Sequence, residues 1–145
     1  MISLIPQEDI ILNWPAISEA LAEFWDVSLN YETLPNLKRR LLAEDCRLWL
    51  WQSEEARLLF ISEDRYTAKG CIFTVTHTAG YNKTGSRWTP RQLKATIGQV
   101  FSEIEELAEA TGHVAICIHA RPGHVRLADG YRVWNTPIIK EFKEK

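Results

Sequence analysis

The sequence predicts one mixed α/β sheet, mostly antiparallel, with helices on both faces. Three observations predict it: two amphipathic helical stretches near the start, three strand-like segments joined by polar turns, and a long capped helix followed at once by an apolar strand. A strand, a crossover helix and a strand in succession normally lie parallel, so the segments flanking the long helix are expected to be parallel neighbours. The 145 residues suit a single domain spanning the chain. At that length roughly 70% of the unfolded surface is buried, enough for a hydrophobic core without disulfides.

Residues 2–12, ISLIPQEDIIL, open with apolar residues interrupted by Pro6 and an acidic pair, which predicts a short strand and then a turn. From Asn13 the pattern turns helical: Asn13 can cap, Pro15 suits a first turn, and Ile17, Leu21, Phe24 and Trp25 recur at helical spacing. A second helix follows Thr33 and Pro35, with Leu34, Leu37, Leu41 and Leu42 on one face and Lys38, Arg39 and Arg40 on a solvated one. Strands are predicted at 47–51, 56–61 and 71–78, the last rich in β-branched and aromatic residues. QSEE joins the first two as a hairpin, and SEDRYTAKG joins the second and third as a longer connection. Trp49 and Trp51 share one face of their strand, either in the core or, as an exposed-looking pair, on a partner-binding surface.

The helix over 89–111 is the clearest element. TPRQ supplies a capping Thr89, a Pro at the first helical position and Gln92 at the capping-box position. Leu93, Ile97, Val100, Phe101, Ile104, Leu107 and Ala108 trace one apolar stripe, and Gly112 supplies the stop. HVAICIHA then reads as a strand buried on both faces, and the tail after ARPG as a helical turn ending at Gly130 with closing strands.

Composition sets outer limits. An apolar fraction of 46% and a charged fraction of 25% exclude disordered and collagen-like chains, and a net charge of −2 gives no general attraction to nucleic acid or anionic membrane. Only the stretch from Lys83 to Lys94, with Arg87, Trp88 and Arg91, combines basic and aromatic residues. No run reaches the roughly 18 apolar residues of a membrane span, and the start lacks the cationic region of a signal peptide. Three cysteines, Cys46, Cys71 and Cys117, without metal-type spacing fit a reducing, cytoplasmic setting. The four histidines, at 77, 113, 119 and 124, show no paired spacing, so no metal is expected. No nucleophile-elbow pattern occurs.

The element order, the strand RLWLW after paired helices, the segment CIFTVTHTAGY and the tail RPGHVRLADGYRVWNTPIIKEF together resemble the GNAT acyltransferase superfamily over essentially the whole chain. The tail carries a Leu-x-x-Gly-aromatic ending at Leu127, Gly130 and Tyr131. With its six tryptophans and the Arg121-Pro122-Gly123 turn, the chain is most similar to the small GNAT-like proteins of tailed bacteriophages and prophages. The resemblance implies a central parallel strand pair that splays, with acetyl-CoA in the splay and its pyrophosphate on backbone amides at the start of the long helix, where unpaired donors and the helix dipole favour an anion.

On that resemblance the cofactor-binding candidates are Thr78, Gly80, Lys83, Gly85, Ser86 and Arg87, with Lys83 and Arg87 neutralising phosphate. The candidate bases are His77, His119 and Glu32. Two departures stand out. The usual Gln/Arg-x-x-Gly-x-Gly/Ala motif is replaced by GYNKTGSRWT, and the position where the family often carries an acidic Tyr holds Arg126. Pro90 also subtracts a donor from the helix start. In the competing structural reading, Gly80 and Gly85 are turn glycines and Trp88 staples the helix to the sheet.

These departures put first a degenerate acyltransferase scaffold that acts as a virion-associated, assembly or host-interaction protein in the host cytoplasm. Such a role implies a protein partner, with a homo-oligomer as one form, and involves neither membrane nor nucleic acid. The alternative is an active acetyl-CoA-dependent N-acetyltransferase acting on an amine.

Overall fold

Alternation along RLWLW assigns Leu48 to one layer and Trp49 and Trp51 to the other, and each layer finds its own helices. The computed structural model describes residues 1–25, 33–82 and 89–118. Its elements run β1 (Ile2–Leu4), α1 (Gln7–Trp25), α2 (Leu34–Leu42), β2 (Arg47–Gln52), β3 (Ala56–Thr67), β4 (Gly70–Asn82), α3 (Pro90–Ala110) and β5 (Ala115–Ile118). The described strands form one sheet in the order β1-β2-β3-β4-β5. The first four pair antiparallel, and β4 and β5 pair parallel from Ile72↔Ala115 to Val75↔Ile118, as the crossover through α3 predicts.

On one face of the sheet, Ile10, Ile17 and Leu21 of α1 and Leu37 and Leu41 of α2 cluster with Leu48 and Ile61. On the other, Val100, Ile104 and Ala108 of α3 cluster with Trp49, Trp51, Phe60, Phe73 and Val75. The stripe expected on the long helix therefore is the buried face. Ile104, 1% exposed, is expected to cost about 2–5 kcal/mol when truncated to Ala, and the half-buried Ile97 less. Chemical unfolding checks this, and a change near zero would mean that α3 is not seated on the sheet.

Of the two places open to the Trp pair, the structure assigns the core: Trp49 is 9% and Trp51 1% exposed. Burying an indole needs a partner for its N–H. Trp49 Nε1 donates to Ser62 Oγ at 2.8 Å, and Trp51 Nε1 donates to the Glu103 carboxylate on α3.

Three element boundaries also differ from the sequence reading. Helix α1 begins at Gln7, not Asn13, because the Pro6 carbonyl accepts the first helical bond from Ile10 N–H at 3.1 Å. Glu8 and Asp9 then lie in the first turn, where the helix dipole favours acids, and Pro15 falls inside the helix. The bond that Pro15 cannot donate would reach the carbonyl of Ile11, an exposed residue. The expected long connection over 62–70 is instead the end of β3, a tight turn at Ala68 and Lys69, and the start of β4. Thr67 Oγ1 closes that turn, donating to Gly70 O at 2.8 Å and accepting from Lys69 N–H at 3.2 Å.

Strand β5 is less buried than its apolar run suggests. Ile116 and Ile118 pack against the α3 layer, Ala115 is exposed, and no described element covers the other face of the strand. The basic triplet of α2 is only partly solvated: Lys38 Nζ lies 5.7 Å from the Trp14 ring centroid, and Arg40 Nη2 lies 3.1 Å from Glu63 Oε2. Such surface contacts contribute about 0–1 kcal/mol each. Among the described residues no helix is long and apolar enough to cross a membrane.

Candidate functional site

Strand β4 pairs with β3 along its whole length, but Ile61 faces His77 while Ser62 faces Val75. Thr76 is thus an extra residue, a β-bulge, which bends the strand and increases its twist. The described parallel pairing with β5 runs to Val75↔Ile118, Ile118 being the last described residue of β5 and Val75 the residue before the bulge. Beyond it β4 continues to Asn82 with β3 on one edge and no described strand on the other.

The bulge also sorts side chains. Cross-strand partners share a face, so Thr78, opposite Phe60, lies on the α3 side, and Gly80 holds the register position opposite Leu58. His77, opposite Ile61, lies on the α1 and α2 side and is half-buried. Thr76 Oγ1 donates to Ile61 O at 3.4 Å and lies 2.8 Å from His77 Nδ1.

Of the sequence candidates, His77, Thr78 and Gly80 are described: they follow the bulge along β4, with His77 and Thr78 on opposite faces of the sheet. His119, Glu32, Lys83, Gly85, Ser86 and Arg87 lie outside the described residues, as do Arg126, Tyr131 and Trp88.

At the start of α3 the helix closes on itself. Thr89 Oγ1 accepts from Gln92 N–H at 3.1 Å, and Gln92 Oε1 accepts from Thr89 N–H at 3.0 Å. Pro90 has no N–H, so Arg91 N–H is the first-turn donor that these bonds leave unoccupied. An anion at this helix start meets fewer donors than an open terminus offers.

A second polar cluster, which the sequence reading missed, lies at the other end of β4. Asp64 of β3, Cys71 of β4 and His113 between α3 and β5 converge there. His113 Nε2 is 2.8 Å from Asp64 Oδ1, and Arg47 Nη1 is 3.6 Å from Asp64 Oδ2. Burial first, and then the Asp64 charge, push the Cys71 thiol pKa up against a smaller opposing effect of Arg47. Burial likewise raises that of Cys117, opposed by Arg65. Neither thiol has the depressed pKa of a nucleophilic cysteine. No signal in the sequence joins these residues, because the β3–β4 register and the α3 crossover are what bring them together.

No family model and no curated protein matches the sequence. Solved structures do match in fold. A probable acetyltransferase superposes with a TM-score of 0.61 at 12% identity, covering 100% of this chain and 98% of that one. A ribosomal-protein-alanine N-acetyltransferase from Brucella melitensis biovar Abortus gives 0.59 at 13% identity, covering 97% and 99%. A predicted acetyltransferase from Clostridium acetobutylicum, solved with acetyl-CoA, gives 0.56 at 17% identity, covering 97% and 95%. The chain shares the fold of these solved acetyltransferases, the fold that the resemblance to the GNAT superfamily implied.

Proposed function

We propose that the chain uses its scaffold as an acyl-CoA-dependent N-acyltransferase, with the cofactor's pantetheine arm along the edge of β4 past Thr76. The observation that carries this reading is the β-bulge at Thr76, which bends β4 beside the strand that the α3 crossover lays parallel to it, in a chain with the fold of solved acetyltransferases. An extended arm bearing two amides is complementary to a strand edge, the same chemistry by which a peptide adds to a sheet. Thr78 and Gly80 are small enough to let it approach. When bound, acetyl-CoA supplies a thioester activated toward an amine. His77 is the residue at the bulge that can take the amine's proton, with its ring positioned against the Thr76 hydroxyl. Lys83 and Arg87 follow β4 directly in sequence and are the cations for the phosphate end.

A second reading is favoured by the closed start of α3. There the Thr89–Gln92 capping box and Pro90 remove donors that a pyrophosphate needs. In that reading the scaffold has given up the cofactor and serves as a phage-type assembly, virion-associated or host-interaction protein, in the cytoplasm of the host and in contact with a protein partner or a second copy.

One titration separates the two. Calorimetry of the purified chain with acetyl-CoA is expected to give saturable one-to-one binding. No heat of binding at millimolar acetyl-CoA would overturn the enzyme reading and leave the scaffold reading in its place.

A further inference from the structure

We propose that Asp64, Cys71 and His113 form a binding site for one zinc-type divalent transition-metal ion, which clamps the α3–β5 turn to the edge of the β3–β4 hairpin. The site is separate from the bulge: Cys71 and Thr76 are five residues apart on β4, roughly 16 Å along an extended strand.

The backbone brings the turn onto the strand before any side chain acts. Val114 N–H donates to Cys71 O at 2.9 Å, and His113 N–H donates to Ala108 O at 3.0 Å. Gly70 permits this approach. Its φ is +131°, and a Cβ there would lie 2.6 Å from a Val114 methyl. His113 is thereby fixed beneath the turn, its side chain 7% exposed, with its ring edge-on to Phe73 at 5.2 Å between centroids.

The hydrogen bonds of the ring then require a positive charge at Nε2. Thr111 Oγ1 donates its single proton toward Leu107 O at 2.8 Å, with Ala108 O at 3.2 Å, so toward His113 it can only accept. Nδ1, 2.8 Å from that hydroxyl, therefore carries a hydrogen. A neutral ring with its hydrogen on Nδ1 turns a bare Nε2 lone pair on Asp64 Oδ1 at 2.8 Å, which is repulsive. Either a second proton or a metal ion resolves the contact.

The Cys71 thiol decides between them. One nitrogen, one carboxylate oxygen and one sulfur lie within 4.8 Å of one another on three half-buried residues. That donor set suits zinc or cobalt over magnesium or calcium. Ligand atoms around a tetrahedral zinc, at about 2.0–2.3 Å from the ion, are roughly 3.3–3.8 Å apart, so a small side-chain rotation completes the set and leaves a fourth position for water. Thr111 then serves as the outer partner that orients the imidazole, and Arg47 holds the other carboxylate oxygen. Binding forms a metal–sulfur bond and releases the thiol proton to solvent. A nucleophilic Cys-His-Asp triad does not fit, because both ring nitrogens already face Asp64 and Thr111 and neither holds the thiol.

The test uses the full chain, stripped with chelator and titrated with cobalt(II). The expected result is a one-to-one end point with tetrahedral d–d bands and a thiolate-to-cobalt charge-transfer band, displaced by zinc. Cys71→Ser is expected to lose the charge-transfer band and at least tenfold in affinity, and Cys117→Ser neither. A measurement on the unaltered chain covers the case in which Cys71→Ser fails to fold: zinc should slow alkylation of Cys71 at least tenfold, read by peptide mass mapping. Absence of the charge-transfer band, its persistence in folded Cys71→Ser, or Cys71 alkylation indifferent to zinc would overturn the site in favour of a protonated His113 paired with Asp64. None of these readouts depends on acyl-CoA.

Discussion

Replacing Phe60 with Ala is expected to lower the unfolding free energy by about 3–5 kcal/mol, a large share of the roughly 5–15 kcal/mol that a domain has. Phe60 is 0% exposed and sits at the centre of the α3 layer. Its ring stacks on Trp49 with 6.1 Å between centroids and 11° between planes, and Trp49 is in turn tilted against Phe73 at 6.3 Å. Truncation therefore removes the ring's burial, one aromatic contact and the support of a second indole. The neighbours cannot collapse into the space freely, because Trp49 is tethered to Ser62 by its indole N–H. Urea unfolding should show a lower midpoint at an unchanged slope, since the surface exposed on unfolding stays nearly the same. Tyr66→Ala, at a side chain 80% exposed, should fall within about 0.5 kcal/mol of the parent chain. Equal effects at the two positions would mean that the layer assignment is wrong.

The same residues show which parts of the fold were legible in the amino-acid order. TPRQ placed the start of α3 at the observed residue because a capping box is a local device, complete within four positions. RLWLW announced two layers because alternation is equally local. The end of β3 was not legible: Glu63, Asp64, Arg65, Tyr66 and Thr67 carry polar or exposed side chains and pair only because β4 offers its backbone opposite them. There tertiary pairing overrides a weak local preference. Helix α1 hid its first turn for another reason, since Pro6 and the acidic pair Glu8 and Asp9 after the apolar opening read as a turn that ends a short strand.

The site divides along the same line. That His77 and Thr78 stand near the end of a strand could be read from CIFTVTHT, whereas the bulge between them and Val75 could not, since an unpaired residue has no composition of its own. The Asp64, Cys71 and His113 cluster was further from reach. His113 follows Asp64 by 49 residues, and only the strand register and the crossover place the two side chains 2.8 Å apart. Histidine spacing searches look for ligands on one helix or one turn, and this cluster draws on three elements.

Deleting Thr76 is expected to leave the fold standing and reduce acetyl-CoA affinity at least a hundredfold, about 2.8 kcal/mol at 1.4 kcal/mol per decade. The deletion joins Val75 directly to His77, so Ser62↔Val75 and Ile61↔His77 become successive pairs of a regular ladder. No side chain changes face, because Val75 and His77 already lie on opposite sides of the sheet. What changes is direction: without the bulge β4 loses its local bend and added twist past Val75. The pantetheine arm then meets a strand edge of altered course, and His77 loses the Thr76 hydroxyl 2.8 Å from Nδ1. Thermal unfolding should move by no more than a few degrees, while calorimetry with acetyl-CoA should lose its saturable signal. Unchanged affinity in the folded deletion variant would show that acyl-CoA binds elsewhere. Loss of binding on Ala substitution of Thr76, which keeps the bulge and removes only the hydroxyl, would assign the effect to the His77 contact instead of the bend.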